Sequence, residues 1–333
     1  MLQNFRFARY RFTYIVQESL KMPFYKGNVF RGRFGYILRH ITCVGTTQEC
    51  EGRCEFSERC VYSKCFETPV PEDSPMLRGQ TYAPHPFILE PPRTGKSDFA
   101  PGDTFTCNLT LIGEAIKLLP WMVFTFDQMG KRRIGLQDKR GQCQLTRVES
   151  LSVRSSDQPQ TIYTAETEIL TDDGIVLRLD DVMQAVPHVT DEIELAFLTL
   201  TSIKVNGHWA RNMTFEHLIR NLLRRIRFLN HFHCGEDLDT EVDAHALIKA
   251  AQSVRHISGL QWLQRGRYSY RAKARVPMNG FMGNIRFEGD MTPFLPFIFL
   301  GEYLHIGHHT AFGFGKYRLV STGERREWNS PLQ

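Results

Sequence analysis

The 333-residue sequence has no apolar run long enough to cross a bilayer. The longest, Pro293 to Leu300, is short and carries prolines, whereas a spanning helix needs about 20 apolar residues. The N-terminus, Met1-Leu2-Gln3-Asn4-Phe5-Arg6, shows no apolar signal-peptide core. A cytoplasmic protein with no membrane partner is the expectation. Low-complexity tracts and a close repeat between the two halves are also absent, so the chain reads as ordinary globular domains. Charge of one sign is scarce: the formal net charge is +5, with 23% charged and 42% hydrophobic residues. Such a balance does not by itself select a polyanion partner, and the arrangement says more. Lys131-Arg132-Arg133, Arg224-Arg225-Ile226-Arg227 and the run from Arg265 to Arg275 are local basic clusters of the kind a nucleic acid needs.

A nucleotide P-loop is missing too. A glycine-rich stretch does occur, from Leu300 to Tyr317 (LGEYLHIGHHTAFGFGKY). A P-loop needs Ser or Thr after its lysine at the start of a helix, but Gly315-Lys316 leads into the strand-like Tyr317-Arg318-Leu319-Val320. Glycines here either let a ligand approach the main chain or make a tight turn between a helix and a strand. The eight cysteines lack the two-residue spacing of zinc ribbons. Five of them, Cys43, Cys50, Cys54, Cys60 and Cys65, nevertheless crowd into one short polar stretch. In a cytoplasmic chain this suggests free thiols or a metal rather than disulfides, with zinc the first choice and an iron–sulfur cluster behind it.

What is present is patterned. Ala8, Tyr10, Phe12 and Tyr14 alternate with polar residues, as in a half-buried strand. From Asn28, a candidate N-cap, Phe30, Phe34, Ile37, Leu38 and Ile41 recur at helical spacing. Arg33, Tyr36 and His40 lie on the opposite stripe. A proline-rich stretch from Pro69 to Pro101 reads as extended loop. Strand Thr104–Ile112 and a helix from Glu114 to Met129, restarted at Pro120, follow. Gly130 to Gly141 reads as an exposed loop. After Pro187 the pattern begins again: a β-run from Glu192 to Val205, a long helix capped by Thr214, a helical patch from Val242 to Ser253, and strands over Arg267–Arg275 and Gly283–Phe287. Each half has the element order of the split βαβ, ferredoxin-like motif.

The segment Gly280 to Leu319 resembles the C-terminal glycine-rich signature of CRISPR precursor-RNA processing endoribonucleases of the RAMP superfamily. The segment YKGNVFRGRFGYILRHITC, the paired arginines within Leu218–Leu229, and Arg267-Tyr268-Ser269-Tyr270-Arg271 agree with it. The resemblance covers most of the chain. It implies an α+β protein of two tandem ferredoxin-like domains, 1–186 with a Cys-rich insertion at 43–66, and 187–325 with the glycine-rich loop. It also implies a ligand set of Cys43, Cys50, Cys54 and Cys60 for a structural zinc, with Cys65 at a position usually aliphatic.

The resemblance implies RNA contacts from Arg224 and Arg225, from Arg267, Tyr268 and Arg271, and from the loop residues Gly307, His308, Gly313, Gly315 and Lys316, with Arg33 on the first helix. His308 stands where a lysine is more usual, which makes a cation there pH-dependent. Metal-free RNA cleavage needs a base for the 2′-hydroxyl, stabilisation of phosphorane charge and an acid for the 5′-oxygen. His40 with Tyr36 is one candidate set; His305 on the loop, in a leucine–histidine–hydrophobic–glycine motif, is the other. Against these stand a solvated helix face and a buried histidine tying a turn. His85, His188, His208 and His217 are left as structural. The expected activity is one cut per CRISPR repeat, with no catalytic cofactor, the glycine-rich loop facing the backbone in a cleft between the domains. The rival readings are a non-catalytic RNA-binding subunit of a CRISPR effector complex and an unrelated zinc-stabilised RNA-binding protein.

Overall fold

In this computed structural model, residues 2, 4–44, 54, 56–77, 79–153, 157–171, 174–185, 191–235, 242–269 and 274–320 are described, with backbone alone at 267–269 and 274–275. The chain divides into two compact units. One comprises Asn4–Arg178 with Phe228–Glu236; the other comprises Met1–Gln3, Leu179–Arg227 and Asp237–Gln333.

The first unit is built on an antiparallel sheet whose central strand, Arg6–Val16, pairs with Thr104–Ile112 on one side and Cys143–Ser150 on the other. Phe87–Glu90 pairs with the outer edge of Thr104–Ile112, and Gln160–Thr164 with the outer edge of Cys143–Ser150. With four strands counted along the chain, the spatial order is second, third, first, fourth, with helices Gly27–Thr42 and Leu119–Lys131 after the first and third. That order fits the split βαβ motif. The alternation read from the sequence holds: Ala8, Tyr10, Phe12 and Tyr14 are all fully buried. Phe12 stacks on Phe126 with ring centroids 4.0 Å apart, and the Tyr14 hydroxyl donates to the Phe126 carbonyl at 2.6 Å.

Three expectations change in this unit, and one, the helical segment restarted at Pro120, holds. Helix Gly27–Thr42 starts one residue before Asn28, with Lys26 at the cap and no side-chain cap bond. Lys26 is fully buried, and its ammonium donates to the Thr94 carbonyl at 2.7 Å instead of facing solvent. The stretch expected as extended loop from Pro69 to Pro101 contains strand Phe87–Glu90, buried at every position. Prolines at 84, 86, 91 and 92 hid it, since they mark loops locally but are tolerated just outside an edge strand. Gly130 to Gly141 carries a small hairpin, Ile134–Leu136 on Lys139–Gly141. The Glu114–Met129 helix is a 3₁₀ segment, Gly113–Leu118, followed by helix Leu119–Lys131. Pro120 sits in the first turn of that helix, where its missing N–H costs nothing.

The second unit repeats the plan. Strand Glu192–Thr201 lies between Gly280–Glu288 and Tyr317–Val320, and Arg255–Ser258 pairs with the far edge of Gly280–Glu288. Helix Phe215–His233 buries Phe215, Leu218, Leu222, Ile226 and Leu229, the stripe that its periodicity showed. Thr214 does cap it, its Oγ1 accepting the His217 N–H at 3.2 Å. The run read as one strand, Arg267 to Arg275, is instead a hairpin of Gly266–Ser269 on Ala274–Pro277. The end of the β-run also turns back, Lys204–Val205 pairing with His208–Trp209.

Candidate functional site: a helix face, a glycine-rich turn and a cysteine pocket

On helix Gly27–Thr42 the buried face carries Phe30, Phe34, Ile37 and Leu38. This turns Tyr36 and His40 to solvent, Tyr36 with 62% of its surface exposed. The two rings lie nearly parallel, 9° apart in plane and 6.4 Å between centroids. The Arg33 guanidinium is 5.8 Å from the Tyr36 ring. Its Nη2 donates to the Arg132 carbonyl, and burial, then Arg140 and Arg132, holds its pKa below the ordinary arginine value. His40 sits in the last turn of the helix. The expected stripe therefore exists, with the imidazole and the phenol exposed and the guanidinium half-buried.

The glycine-rich turn has a different construction. Helix Leu295–Leu304 begins at Pro296 and ends where His305 takes φ 56° and ψ 167°. That region is close to glycine-only, and a side chain held there costs about 1–3 kcal/mol. His305 is fully buried, and its Nδ1 is 3.0 Å from the Phe314 carbonyl oxygen, which makes Nδ1 the protonated nitrogen. Ile306 N–H donates to the Gly315 carbonyl, His308 N–H to Ser202 and Gly315 N–H to Leu200, each at 2.9 Å. A Cβ on Gly315 would lie 1.8 Å from the Ile306 oxygen, and one on Gly307 2.3 Å from the Ser202 oxygen. Both glycines, like the buried Gly313, have positive φ. The turn thus uses its glycines and these N–H groups to pack on its own strand. This geometry favours the alternatives of a tight turn and a buried histidine that ties it over a main-chain cradle at Gly307 and Gly315 with His305 facing the backbone of RNA. Lys316, half-buried, donates its N–H to Thr199 Oγ1 at 2.9 Å.

The paired arginines separate as well. Arg225 donates Nε to the Leu304 carbonyl at 2.8 Å, capping the helix that leads into the turn. Burial pulls its guanidinium down to about 10. In this structure it serves a helix end rather than an open surface. Arg224, one residue earlier, is exposed and touches Asn221 Oδ1 at 3.1 Å.

His308 is half-buried, and its ring meets that of Trp209 at 5.0 Å and 74°. Burial, then the charges of His309, Lys204 and Arg224, pushes its pKa down to about 4. A neutral imidazole at neutral pH replaces the pH-dependent cation expected there. The Lys204–Trp209 hairpin beside it went unread, although Asn206-Gly207 between two short strands is a strong hairpin signal. Of the Arg267, Tyr268, Arg271 set, Arg267 and Tyr268 lie on strand Gly266–Ser269, opposite Val276 and Arg275. Arg271 falls outside the described residues, as does His188.

The cysteines lie beside the first helix. Short helix Val61–Phe66 packs on it, Arg31 over the Phe66 ring at 4.2 Å. Cys43, Cys54 and Cys60 line one cavity of about 220 Å³. Ser63 Oγ and Glu67 Oε2 belong to residues lining the same cavity, are buried, and find no hydrogen-bond partner among the described residues. Three thiols and two unsatisfied oxygens fit a thiophilic cation. Among the described residues no three His, Cys, Asp or Glu side chains are already assembled as a metal site. A closed shell needs Cys50, which lies outside them. Cys65 is buried, and burial pushes its thiol to about 12, so it behaves as a core residue.

A family model described as an N-terminal domain matches residues 5–175, and the model of the CRISPR-associated endoribonuclease Cas6 family matches residues 195–317. Residues 195–317 therefore carry a CRISPR-associated endoribonuclease Cas6 family domain. An uncharacterized protein of Archaeoglobus fulgidus is 24% identical over 303 residues, 90% of this chain and 93% of that protein. The product complex of Thermus thermophilus Cas6 superposes with a TM-score of 0.56 at 16% identity, over 94% of this chain and all of that one. A chain of a partial Cas6-RT-Cas1–Cas2 complex gives 0.52 at 12% identity, over 95% of this chain and 46% of its own. At these identities the structural likeness speaks to the fold alone. Among the described residues no helix is long and apolar enough to cross a membrane.

Proposed function

We propose that this chain, with its Cas6-family domain, binds CRISPR repeat RNA and cuts it once per repeat, without a catalytic metal. The observation that carries the assignment of roles is the exposed pair Tyr36 and His40 beside a half-buried Arg33, set against a His305 that is buried with Nδ1 on the Phe314 carbonyl. His40 takes the proton from the attacking 2′-hydroxyl. The 2′-oxygen bonds to phosphorus as the bond to the 5′-oxygen breaks, leaving a 2′,3′-cyclic phosphate. The departing 5′-oxygen takes a proton from the Tyr36 phenol and leaves as a 5′-hydroxyl. Arg224, Lys316 and strand Gly266–Ser269 with Arg267 and Tyr268 supply phosphate contacts and stacking faces. The setting is the cytoplasm, and a CRISPR effector complex is the onward partner.

The test is cleavage of labelled repeat RNA on a denaturing gel in EDTA, with His40→Ala and with RNA lacking the 2′-hydroxyl at the scissile nucleotide. A single cut that persists in EDTA and is lost with either change supports the reading. Tight binding without cutting would move the chain to the non-catalytic effector-subunit class, and cutting of the deoxy substrate would refute the chemistry.

We also propose that Cys43, Cys50, Cys54 and Cys60 hold a structural zinc, because three of them already share one cavity. Zinc would close a loop too small for a core of its own. Metal analysis should return about one zinc per chain, and a strong chelator should lower the melting temperature of the first unit. Metal-free protein with an unchanged melt would sink this idea.

A further inference from the structure

The hairpin Lys204–Trp209 is unused by the chemistry above, yet it holds an unusual surface group. Trp209 has 47% of its surface exposed, although tryptophan is mostly buried in folded proteins. It is not loosely held. Asn206 and Gly207 both take positive φ, as a tight two-residue hairpin turn requires. Ile203 is fully buried, and its carbonyl accepts the Ala210 N–H at 3.0 Å, closing the base of the ribbon. Lys204 Nζ lies 4.8 Å from the indole centroid, and the His308 ring meets it at 5.0 Å. His308 is itself pinned, its N–H on the Ser202 carbonyl.

The indole thus stands on a tight hairpin beside the glycine-rich turn, with a cation and an imidazole against its ring. Its surroundings are cationic but not uniformly so. Lys204 and Arg224 are exposed, while the imidazole in contact with the ring stays neutral at working pH and adds no charge to it. A flat apolar ring with a cation at its side is what an unpaired nucleotide needs: a surface for the base and a partner for its phosphate. A protein partner would favour an apolar surround, and cations next to the ring disfavour that. We propose that Trp209 is a stacking platform for one unpaired nucleotide of the bound RNA, with Lys204 and Arg224 taking the flanking phosphates. The inference rests on the repeat-RNA reading given above and adds to it a positioning residue and a place on the surface.

The experiment uses the full chain and repeat RNA carrying 5-iodouridine at single positions. Irradiation of the wild-type complex should give one adduct, mapped to the peptide containing Trp209. Binding is then measured at moderate salt for wild type, Trp209→Ala and Trp209→Phe. Alanine should weaken binding about tenfold, and phenylalanine should restore it to within about threefold, as stacking energies imply. The salt dependence should be unchanged by Trp209→Ala but shallower by about one ion for Lys204→Ala. An abasic site at the crosslinked position should weaken wild-type binding and have no further effect on Trp209→Ala. If wild type retains the RNA while Trp209→Ala matches it within about twofold, or the adduct maps elsewhere, the platform is overturned and the repeat-RNA reading stands. Wild type that does not retain repeat RNA overturns both.

Discussion

The face of helix Gly27–Thr42 and the glycine-rich turn use the same residue types to opposite ends. Each offers histidine, arginine and tyrosine. On the helix, Tyr36 and His40 stand in solvent with their rings in parallel. At the turn, His305 is buried on the Phe314 carbonyl, Arg225 caps the Leu304 carbonyl, and Tyr317 donates to the Ile298 carbonyl at 2.6 Å. The difference lies in the backbone each set serves. A regular helix satisfies its own carbonyls and leaves Tyr36 and His40 outside the backbone's hydrogen bonding, with only Arg33 of the stripe drawn to a carbonyl, that of Arg132. A turn packed against a strand strands several carbonyls, and nearby donors are drawn in to satisfy them. Residue type names what chemistry is available; the neighbouring backbone decides whether it is already committed.

The comparison can be broken by substitution. The largest expected gap is between His40→Ala and His305→Ala. The first should cut the single-turnover cleavage rate by roughly 10²–10⁴-fold with an unchanged melting temperature, the range for loss of a general base. The second should act through stability, with activity tracking the folded fraction. Equal catalytic losses at equal stability would erase the distinction.

Next in size is Gly315→Ala. Its Cβ would lie 1.8 Å from the Ile306 oxygen at φ 75°, so a loss of roughly 2–4 kcal/mol is expected in urea titration. Full stability would mean that the turn is not packed as described.

The paired arginines give a smaller and sharper contrast. Arg225→Gln should cost about 1–3 kcal/mol of stability through the Leu304 carbonyl it leaves bare. Arg224→Gln should leave stability alone and reduce the salt dependence of RNA binding by about one ion. Exchange of those two outcomes would reverse the assignment.

The smallest effect is on pH. A histidine whose folded pKa is about 4 against an ordinary 6.5 is neutral in the fold while the unfolded chain takes up its proton. The contribution is present above pH 6.5 and is lost as pH falls from 6.5 to 4. Solvent near this half-buried ring screens it, so roughly 1 kcal/mol is expected. The difference in stability between pH 7 and pH 4.5 should shrink in His308→Gln, and an unshrunk difference would remove His308 from the account.

Periodicity made most of the scaffold legible. The alternation of Ala8 to Tyr14 and the stripe of Phe215 to Leu229 each prescribe one buried face, and the same split βαβ order could be read twice from spacing alone. Strand Phe87–Glu90 was not legible, because three apolar residues and a glutamate between prolines, all buried, show no period. The hairpin Gly266–Pro277 was missed because alternation does not reveal where a strand reverses. For the candidate site the sequence by itself determined the inventory: three histidines in the turn, a Tyr–His stripe, clustered cysteines and paired arginines. Only the tertiary structure decided which of these face solvent. Arg224 and Arg225 are adjacent in the chain but point about 100° apart around a helix, so one reaches water and the other a stranded carbonyl. Commitment of a side chain depends on unsatisfied groups brought close by distant sequence, and those groups have no local signature.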